Sequence, residues 1–157
     1  MNFKTILITL ALFIVANFTL SAQSETEEAV LAPIHKLFDG MRAGDSSMVR
    51  AAFHPTARLQ TTFTDKEGKP QIQTADLEKF ITNIGTPHEQ VYDEQIWGYE
   101  VMIEDNLATV WTPYTFYLGE RMSHCGVNAF QVAKTEDGWK ILQITDTRKK
   151  ENCQEKE

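Results

Sequence analysis

The second half of the chain alternates between strand-forming runs and short polar breaks. Between residues 97 and 148, runs rich in Val, Ile, Thr, Tyr, Phe and Trp are interrupted at Glu104–Asn106, Gly119–Arg121 and Glu136–Gly138. Each interruption contains turn-forming residues, and the runs between them have the composition of β-strands. The pattern therefore predicts an antiparallel meander in which each strand pairs with its sequence neighbours.

The first half of the chain predicts helices instead. Behind an acidic stretch suited to a helix N-terminus, apolar residues recur at helical spacing until Gly44. Pro33 either kinks this first helix or lies in its first turn. The apolar positions of the helix are Val30, Ile34, Leu37, Phe38 and Met41.

A short helix and a strand are expected next. Asp45 is suited to cap a second helix, Ser46–Phe53, which the dipeptide His54-Pro55 ends because the residue before proline avoids the helical region. Residues 57–63 then alternate between polar and apolar side chains and predict a strand, and residues 65–70 predict a turn.

A third helix completes the predicted set. We expect Thr74 to cap it and Gly85 to end it, whereas the polar segment Thr86–Glu94 predicts no element. The sum is an α+β fold: three N-terminal helices packed on a curved, mostly antiparallel sheet. Such a sheet can wrap around the first helix as a cone that is open at one end, which is a natural pocket for a small molecule.

The N-terminus has the pattern of a secretory signal peptide. Lys4 precedes an uncharged, nearly continuous apolar run, Thr5–Leu20, and small residues precede Gln23. A membrane anchor is the alternative, but the run is shorter than the ~20 apolar residues that a span needs. We therefore predict a signal peptide over residues 1–22, a single domain over residues 23–157, and a secreted or periplasmic protein without membrane contact after processing.

Export changes the meaning of the two cysteines, Cys125 and Cys153. An oxidising compartment favours a disulfide between them, and the predicted pairing of the last two strands brings the C-terminal tail back toward Cys125. Two free thiols or a metal site are the alternatives. A pair of cysteines without a matching pair of histidines is poor zinc spacing, so we expect the disulfide.

Charge and motif searches remove several classes of function. The net charge is −7, and the one basic cluster, Arg148–Lys150, is followed at once by Glu151, so we expect no nucleic-acid partner. The sequence contains no glycine-rich phosphate loop, no Gly-x-Ser-x-Gly motif and no His-Glu-x-x-His motif. We therefore expect neither a cofactor nor a metal.

Two stretches resemble a known family. The sequence PIHKLFDGMRAGDSSMVRAAFHPTARL, residues 33–59, resembles the opening of the nuclear transport factor 2-like (SnoaL-like, cystatin-like fold) superfamily. Residues 123–153, with His-Cys-Gly and Gly-Trp-Lys-Ile…Asp-Thr-Arg, are similar to the end of its putative lumazine-binding subgroup of secreted bacterial proteins. The resemblance implies a cone-shaped α+β domain that is often a homodimer through the outer sheet face. It does not decide function, because the superfamily contains isomerases, dehydratases, transport factors and non-catalytic binders.

Three polar residues interrupt the apolar strands and are candidates for chemistry: His124, Asn128 and Asp146. A His beside a carboxylate can act as a general base, so His124 and Asp146 are candidate catalytic residues. The structural alternative is that Asp146 holds Arg148 or Lys149, while His124 is a satisfied strand-end residue. His54 is a third catalytic candidate, if the end of the second helix faces the mouth of the cone.

Aromatic residues are dense on the predicted sheet, and several of them suit a flat, partly apolar ligand by stacking, although core or dimer packing explains most of them equally well. Strand alternation does not tell which face of the sheet lines the cone. The candidate ligand-binding residues are Phe38, Met41, Trp97, Tyr99, Trp111, Tyr114 and Asn128.

These observations give three hypotheses for function. The first is an exported, non-catalytic, homodimeric domain that binds a small molecule. The second is a cofactor-free lyase or isomerase, similar to ketosteroid isomerases or dehydratases, that moves a proton with His124, Asp146 or His54 as base. The third is a protein-interaction module that uses the outer face of the sheet.

Overall fold

The computed structural model describes residues 26–154, which form three helices and one curved, seven-stranded mixed sheet. The predicted signal peptide, residues 1–22, lies outside the described residues. None of the described helices is long and apolar enough to span a membrane. The elements are α1 (26–43), α2 (Ser46–Ala52), β1 (Phe53–Thr64), β2 (Pro70–Ala75), α3 (Leu77–Gly85), β3 (Tyr92–Ile96), β4 (Glu100–Glu104), β5 (Leu107–Leu118), β6 (Arg121–Thr135) and β7 (Gly138–Thr147).

The predicted meander is confirmed. Strands β4, β5, β6 and β7 pair antiparallel in sequence order, and the three breaks fall at the predicted turns. The turns contain Asp105, Gly119 and Gly138, all with positive φ, which aspartate tolerates and glycine adopts without steric cost.

The segment between α2 and the meander differs from the prediction. The second helix ends at Ala52, one residue early, and β1 begins at Phe53 rather than at residue 57. The cap of α3 is Asp76, whose side chain accepts a hydrogen bond from the amide of Lys79 at 3.0 Å, whereas Thr74 lies in β2 and pairs with Gln60. Thr74 was therefore the wrong cap.

Two strands were not predicted at all. All six residues of β2 are exposed, so its sequence carries no alternating pattern, and only its pairing with β1 makes it a strand. Strand β3 overlaps the polar segment that predicted no element. Its pattern is hidden because an acidic residue, Glu94, lies between Tyr92 and Ile96 on the alternating positions of the strand.

The sheet has the order β2-β1-β7-β6-β5-β3, and β4 also pairs with β5. The pair β1–β7 is parallel and joins the first and last strands of the described chain. The remaining pairs are antiparallel, as expected for a mostly antiparallel sheet.

The hydrophobic core includes all five apolar positions that were predicted on α1. Phe38 of this helix contacts Phe130 of β6 edge-on, with ring centroids 6.2 Å apart. Because β6 alternates, the face that carries Phe130 also carries Asn128 and His124. That contact identifies the inner face of the sheet, which the sequence left open.

A β-bulge in β7 sets the inner face of the last strand. Val132 pairs with Ile141 but Gln131 pairs with Gln143, so Leu142 is the extra residue. The bulge shifts the alternation, and Ile141 and Asp146 consequently lie on the same face although their positions differ by an odd number.

The expected disulfide joins Cys125 to Cys153 across 28 residues. Beside it, Cys125 and Lys149 exchange two backbone hydrogen bonds of 2.9 Å, so the tail lies against β6. Gly126 permits this approach, since a Cβ atom there would lie 1.9 Å from the carbonyl oxygen of Thr147. A loop of this length stabilises the fold by about 3–4 kcal/mol in the chain-entropy model.

Candidate functional site

A cavity of about 110 Å³ lies between α1 and the inner face of the sheet, and we call it the inner cavity. One side is apolar and is formed mainly by Leu37, Phe38, Met41, Leu59, Phe80 and Ile144. The other side is polar and includes Gln60, Thr61, Glu94, Tyr114, His124, Asn128, Asp146 and Arg148. The convergence of eight polar side chains in one small space is the most distinctive feature of the fold.

Asp146 is the centre of a hydrogen-bond network in this cavity. Its Oδ1 atom accepts from the hydroxyl of Thr61 at 2.6 Å. Its Oδ2 atom accepts from Nε of Arg148 at 2.7 Å and from the hydroxyl of Tyr114 at 3.2 Å. Three donors, from β1, β5 and the residue that follows β7, therefore orient one buried carboxylate.

Tyr114 is fixed by the same network. Its hydroxyl also lies 2.9 Å from the carbonyl oxygen of Thr147, which is a second acceptor. Burial raises the pKa of Tyr114 well above its ordinary value, and the nearby carboxylates of Asp146 and Glu94 raise it further. The phenol is therefore protonated at physiological pH and acts as a hydrogen-bond donor.

Glu94 is the carboxyl group whose pKa the cavity changes most. Burial raises its pKa to about 7, a hydrogen bond of 2.7 Å from the amide of Asn128 opposes that rise, and the charge of Asp146 adds to it. A carboxyl group with this pKa exists in both protonation states near neutral pH. Such a group can accept or donate a proton.

His124 lies at one end of the polar side, with its ring near Tyr114 and Phe116 at centroid distances of 5.7 and 5.1 Å. Its Nδ1 atom lies 3.1 Å from the hydroxyl of Ser123. Burial lowers the pKa of His124, and the charges of Arg148 and Lys150 lower it further, while Asp146 opposes them. The ring is therefore neutral at physiological pH and is available as a proton acceptor.

The structure brings six of the ten candidate site residues together. His124, Asp146, Phe38, Met41, Tyr114 and Asn128 all line the inner cavity. The predicted proximity of Asp146 to Asn128 is confirmed, since the two residues are directly paired between β6 and β7. The structural alternative for Asp146, an ion pair with Arg148, is also present.

The other four candidates lie elsewhere. His54 lines a separate surface cleft of about 560 Å³, and its Nδ1 atom lies 2.8 Å from the hydroxyl of Thr56. Trp97, Tyr99 and Trp111 do not line the inner cavity, and Trp111 is 49% exposed. The hydroxyl of Tyr99 lies 3.2 Å from Nε2 of His35.

Neither Glu94 nor the contribution of Thr61 was predicted from the sequence. Glu94 lies in the segment that predicted no element, because its acidic side chain replaces the apolar residue that would have revealed a strand. The available signal was the pair of apolar neighbours two residues away on each side, Tyr92 and Ile96. Thr61 carried no signal, since threonine is common in exposed strands.

No metal centre accompanies this site within residues 26–154, where no group of three or more His, Cys, Asp or Glu side chains is placed to hold an ion.

Comparison with known proteins identifies a family that matches most of this chain. A family described as putative lumazine-binding matches residues 25–145. No curated protein sequence matches the chain.

Solved structures share the fold at low sequence identity. A nuclear transport factor 2-like protein of unknown function from Shewanella baltica is 15% identical, with a TM-score of 0.61 over 81% of this chain and 96% of that one. A protein of unknown function from Mycobacterium tuberculosis is 9% identical, with a TM-score of 0.67 over 83% and 76%. A putative scytalone dehydratase from Novosphingobium aromaticivorans is 11% identical, with a TM-score of 0.63 over 83% and 89%. At these identities the likeness establishes the fold alone.

Proposed function

The chain belongs to the putative lumazine-binding family of the nuclear transport factor 2-like superfamily, and we propose that it binds a small organic molecule in the inner cavity. The observation that carries the proposal is the division of one cavity into an apolar wall and a polar wall. Ligand pockets typically combine apolar surface with a few convergent polar groups. An interaction module without a ligand would instead be expected to fill this space with side chains.

The volume of the inner cavity limits the ligand. An apolar cavity of ~150 Å³ is known to accept benzene, and the inner cavity measures about 110 Å³. A single ring or a similar polar fragment is therefore the largest group that it holds without rearrangement. A bicyclic pteridine, as the family description suggests, would have to extend beyond it.

The polar groups indicate what that fragment carries. Glu94 accepts a hydrogen bond as a carboxylate and donates one when protonated, and Asn128 and Tyr114 lie on the same wall. Phe38 and Met41 of α1 provide apolar contact on the opposite side. A flat, partly apolar molecule with hydrogen-bonding groups along one edge matches this arrangement.

The test is a fragment screen by ligand-observed NMR with single-ring heterocycles. Ile144→Trp fills the inner cavity from β7, whereas Leu142→Trp, on the same strand, places the same side chain outside the lining. We expect fragments to bind the unmodified protein and Leu142→Trp, and to lose binding in Ile144→Trp.

Circular dichroism and thermal unfolding verify that both variants are folded. Retained binding in folded Ile144→Trp would place the ligand outside the cavity, and an absence of binding by every fragment would remove the proposal.

A second candidate function, proton-transfer catalysis, is favoured by Glu94. A half-buried carboxyl group with a pKa of about 7, in the same cavity as a neutral His124, is suited to move a proton on a bound ring with an acidic C–H bond. We propose Glu94 as a base in addition to the three candidates from the sequence, His124, Asp146 and His54, of which His54 lies outside the inner cavity. A fragment that binds should then exchange that hydrogen for deuterium in D₂O, and Glu94→Gln should abolish the exchange while retaining binding. If the hydrogen of the bound fragment exchanges only at the uncatalysed rate, the result excludes this catalysis and is consistent with binding alone.

We also propose export and removal of residues 1–22. The disulfide Cys125–Cys153 is compatible with an extracellular or periplasmic location, where such bonds persist. Mass spectrometry of the protein from its native cells should give Gln23 as the first residue, and a mature chain that retains Met1 would contradict the proposal.

Exposed apolar side chains support the homodimer as a further proposal. Met102 of β4 and Leu107 and Trp111 of β5 lie on neighbouring strands and are exposed. Such a patch marks a contact surface. Light scattering should give twice the chain mass for the unmodified protein and the single mass for Trp111→Glu, whereas a monomeric unmodified protein would exclude this role.

A further inference from the structure

A second space adjoins the inner cavity and carries the opposite electrostatic character to the protein as a whole. It is an open cleft of about 610 Å³, which we call the outer cleft. The chain has a net charge of −7, yet none of the described residues that line this cleft is acidic. Its titratable residues are Lys66, His124, Arg148, Lys149 and Lys150.

The two spaces share part of their lining. Thr61, His124 and Arg148 line both the inner cavity and the outer cleft. Nε of Arg148 donates a hydrogen bond to Asp146, whereas its two Nη groups make no hydrogen bond to any described residue. Its side chain is 52% exposed, so the guanidinium group can face a ligand while Asp146 holds its position.

The cations of the outer cleft come from two segments that are held independently. Lys66 lies in the turn between β1 and β2, where the Asp65 side chain accepts hydrogen bonds from the amides of Glu67 and Lys69, both at 2.9 Å. Lys149 is fixed by its backbone pairing with Cys125, beside the disulfide. The clustering of charge is therefore a property of the folded domain and not of one flexible tail.

We propose that the outer cleft binds an anionic group, a carboxylate or a phosphate, on the same ligand whose ring occupies the inner cavity. This inference rests on the proposed function and deepens it. Because the inner cavity holds no more than about one ring, a larger ligand would extend beyond it, and Thr61, His124 and Arg148 border both this cavity and the basic cleft. Arginine and lysine side chains are the usual partners of carboxylate and phosphate groups.

A small anion fits better than a polyanion. Nucleic-acid sites require an extended basic surface, whereas here four Lys and Arg residues border a bounded cleft on an acidic protein. The local positive potential would steer a small anion to the entrance and concentrate it there.

The experiment compares three probes: phenyl phosphate, benzoate and neutral benzyl alcohol. Binding is followed by isothermal titration and by the ¹H–¹³C signals of His124. The cleft variant combines Lys66→Gln, Lys149→Gln and Lys150→Gln. The control combines Lys36→Gln, Lys79→Gln and Lys134→Gln, which removes the same charge from exposed positions outside the outer cleft.

We expect phenyl phosphate and benzoate to bind more tightly than benzyl alcohol, and the cleft variant to bind the two anions at least about tenfold more weakly, as removal of three cations requires. The control variant should bind as the unmodified protein does. Anion affinity should fall with added salt. Bound anion should also raise the pKa of His124, since it compensates the charge of Arg148 nearby.

Failure of this inference is distinguishable from failure of the proposed function. Equal affinity for benzyl alcohol and phenyl phosphate would exclude the anion site, and so would equal losses of anion affinity in the two triple variants. Neither result would affect the proposed ring site in the inner cavity. Inorganic phosphate that binds as tightly as phenyl phosphate, together with no binding by benzyl alcohol, would instead remove the ring site. Tighter binding of a DNA oligonucleotide than of phenyl phosphate would overturn the assignment to a small anion.

Discussion

The inner face of β5, β6 and β7 is divided into an apolar half and a polar half, and all three strands contribute to both. In the apolar half, Val132 pairs with Ala108 and Ile141 in one row, and Phe130 pairs with Val110 and Ile144 in the next. The following rows form the polar half. Asn128 pairs there with Thr112 and Asp146, and beyond them Tyr114 pairs with Gly126 and Phe116 with His124.

The change from apolar to polar side chains occurs between the row of Phe130 and the next row, that of Asn128, and the two halves contribute differently to stability. Burying apolar side chains stabilises the fold in proportion to area. Buried polar side chains must recover the hydrogen bonds that they lose to water, and a satisfied network is typically no more stabilising than apolar side chains of the same size. In the described chain, every buried side-chain nitrogen and oxygen has a hydrogen-bond partner. The polar half therefore adds little stability, and the proposed binding of a small molecule would account for it.

The largest expected effect is in the apolar half. Phe130→Ala removes a fully buried ring that packs against Phe38 of α1, and we expect the free energy of unfolding to fall by about 3–5 kcal/mol. Urea denaturation of the disulfide-bonded protein measures it.

Ile72→Ala is the control, because Ile72 lies on the exposed strand β2, is 73% exposed and is outside the proposed dimer surface. We expect the free energy of unfolding of this control variant to fall by less than about 1 kcal/mol. Equal losses in the two variants would mean that the inner face is not the principal source of stability.

A smaller effect with a distinctive pH dependence is expected in the polar half. The pKa of Glu94 is raised from 4.5 to about 7 in the folded protein. A carboxyl group with a raised pKa stabilises the fold below its unfolded pKa, and that stability is lost as the pH rises through the folded pKa. Glu94→Gln should therefore match the unmodified protein at pH 4 and exceed it by about 3 kcal/mol at pH 8.

Chemical denaturation at pH 4, 6 and 8 tests this prediction. The control is Glu104→Gln, on the exposed side of β4. Its free energy of unfolding should change between pH 4 and pH 8 by the same amount as that of the unmodified protein. A Glu94→Gln variant that is less stable at pH 8 would show that the carboxylate contributes attraction there, and would remove the argument for Glu94 as a proton carrier.

The two halves also differ in how well the sequence predicted them. The strand breaks and the apolar stripe of α1 follow from patterns within a few residues of each other, and the structure confirms both. The proximity of Asp146 to Asn128 was predictable for the same reason, since a tight turn brings the two neighbouring strands into approximate register, but the exact pair depends on the bulge at Leu142.

The polar half depends on information that is not local. Glu94 reaches Asn128 only because β3 pairs with β5, and Thr61 reaches Asp146 only because β1 pairs with β7 across more than 80 residues. The bulge at Leu142 likewise reverses which residues of β7 face inward, and no pattern in the strand itself indicates it. Long-range pairing, and not weak patterning alone, limited the prediction of the site.

The smallest expected effect lies where the polar half meets the outer cleft, at His124. The positive charges of Arg148 and Lys150 lower its pKa, and the contribution of Arg148 is the larger. Lys150→Gln should therefore raise the pKa of His124 slightly, and Arg148→Gln should raise it more, as measured by NMR titration of the ring signals. Lys79→Gln, on α3, should leave the titration unchanged. If Lys150→Gln also leaves it unchanged, the charge of Lys150 does not reach the cavity entrance. The basic cleft and the polar half would then be separate features, and an anion in the cleft would no longer be expected to alter the protonation of His124.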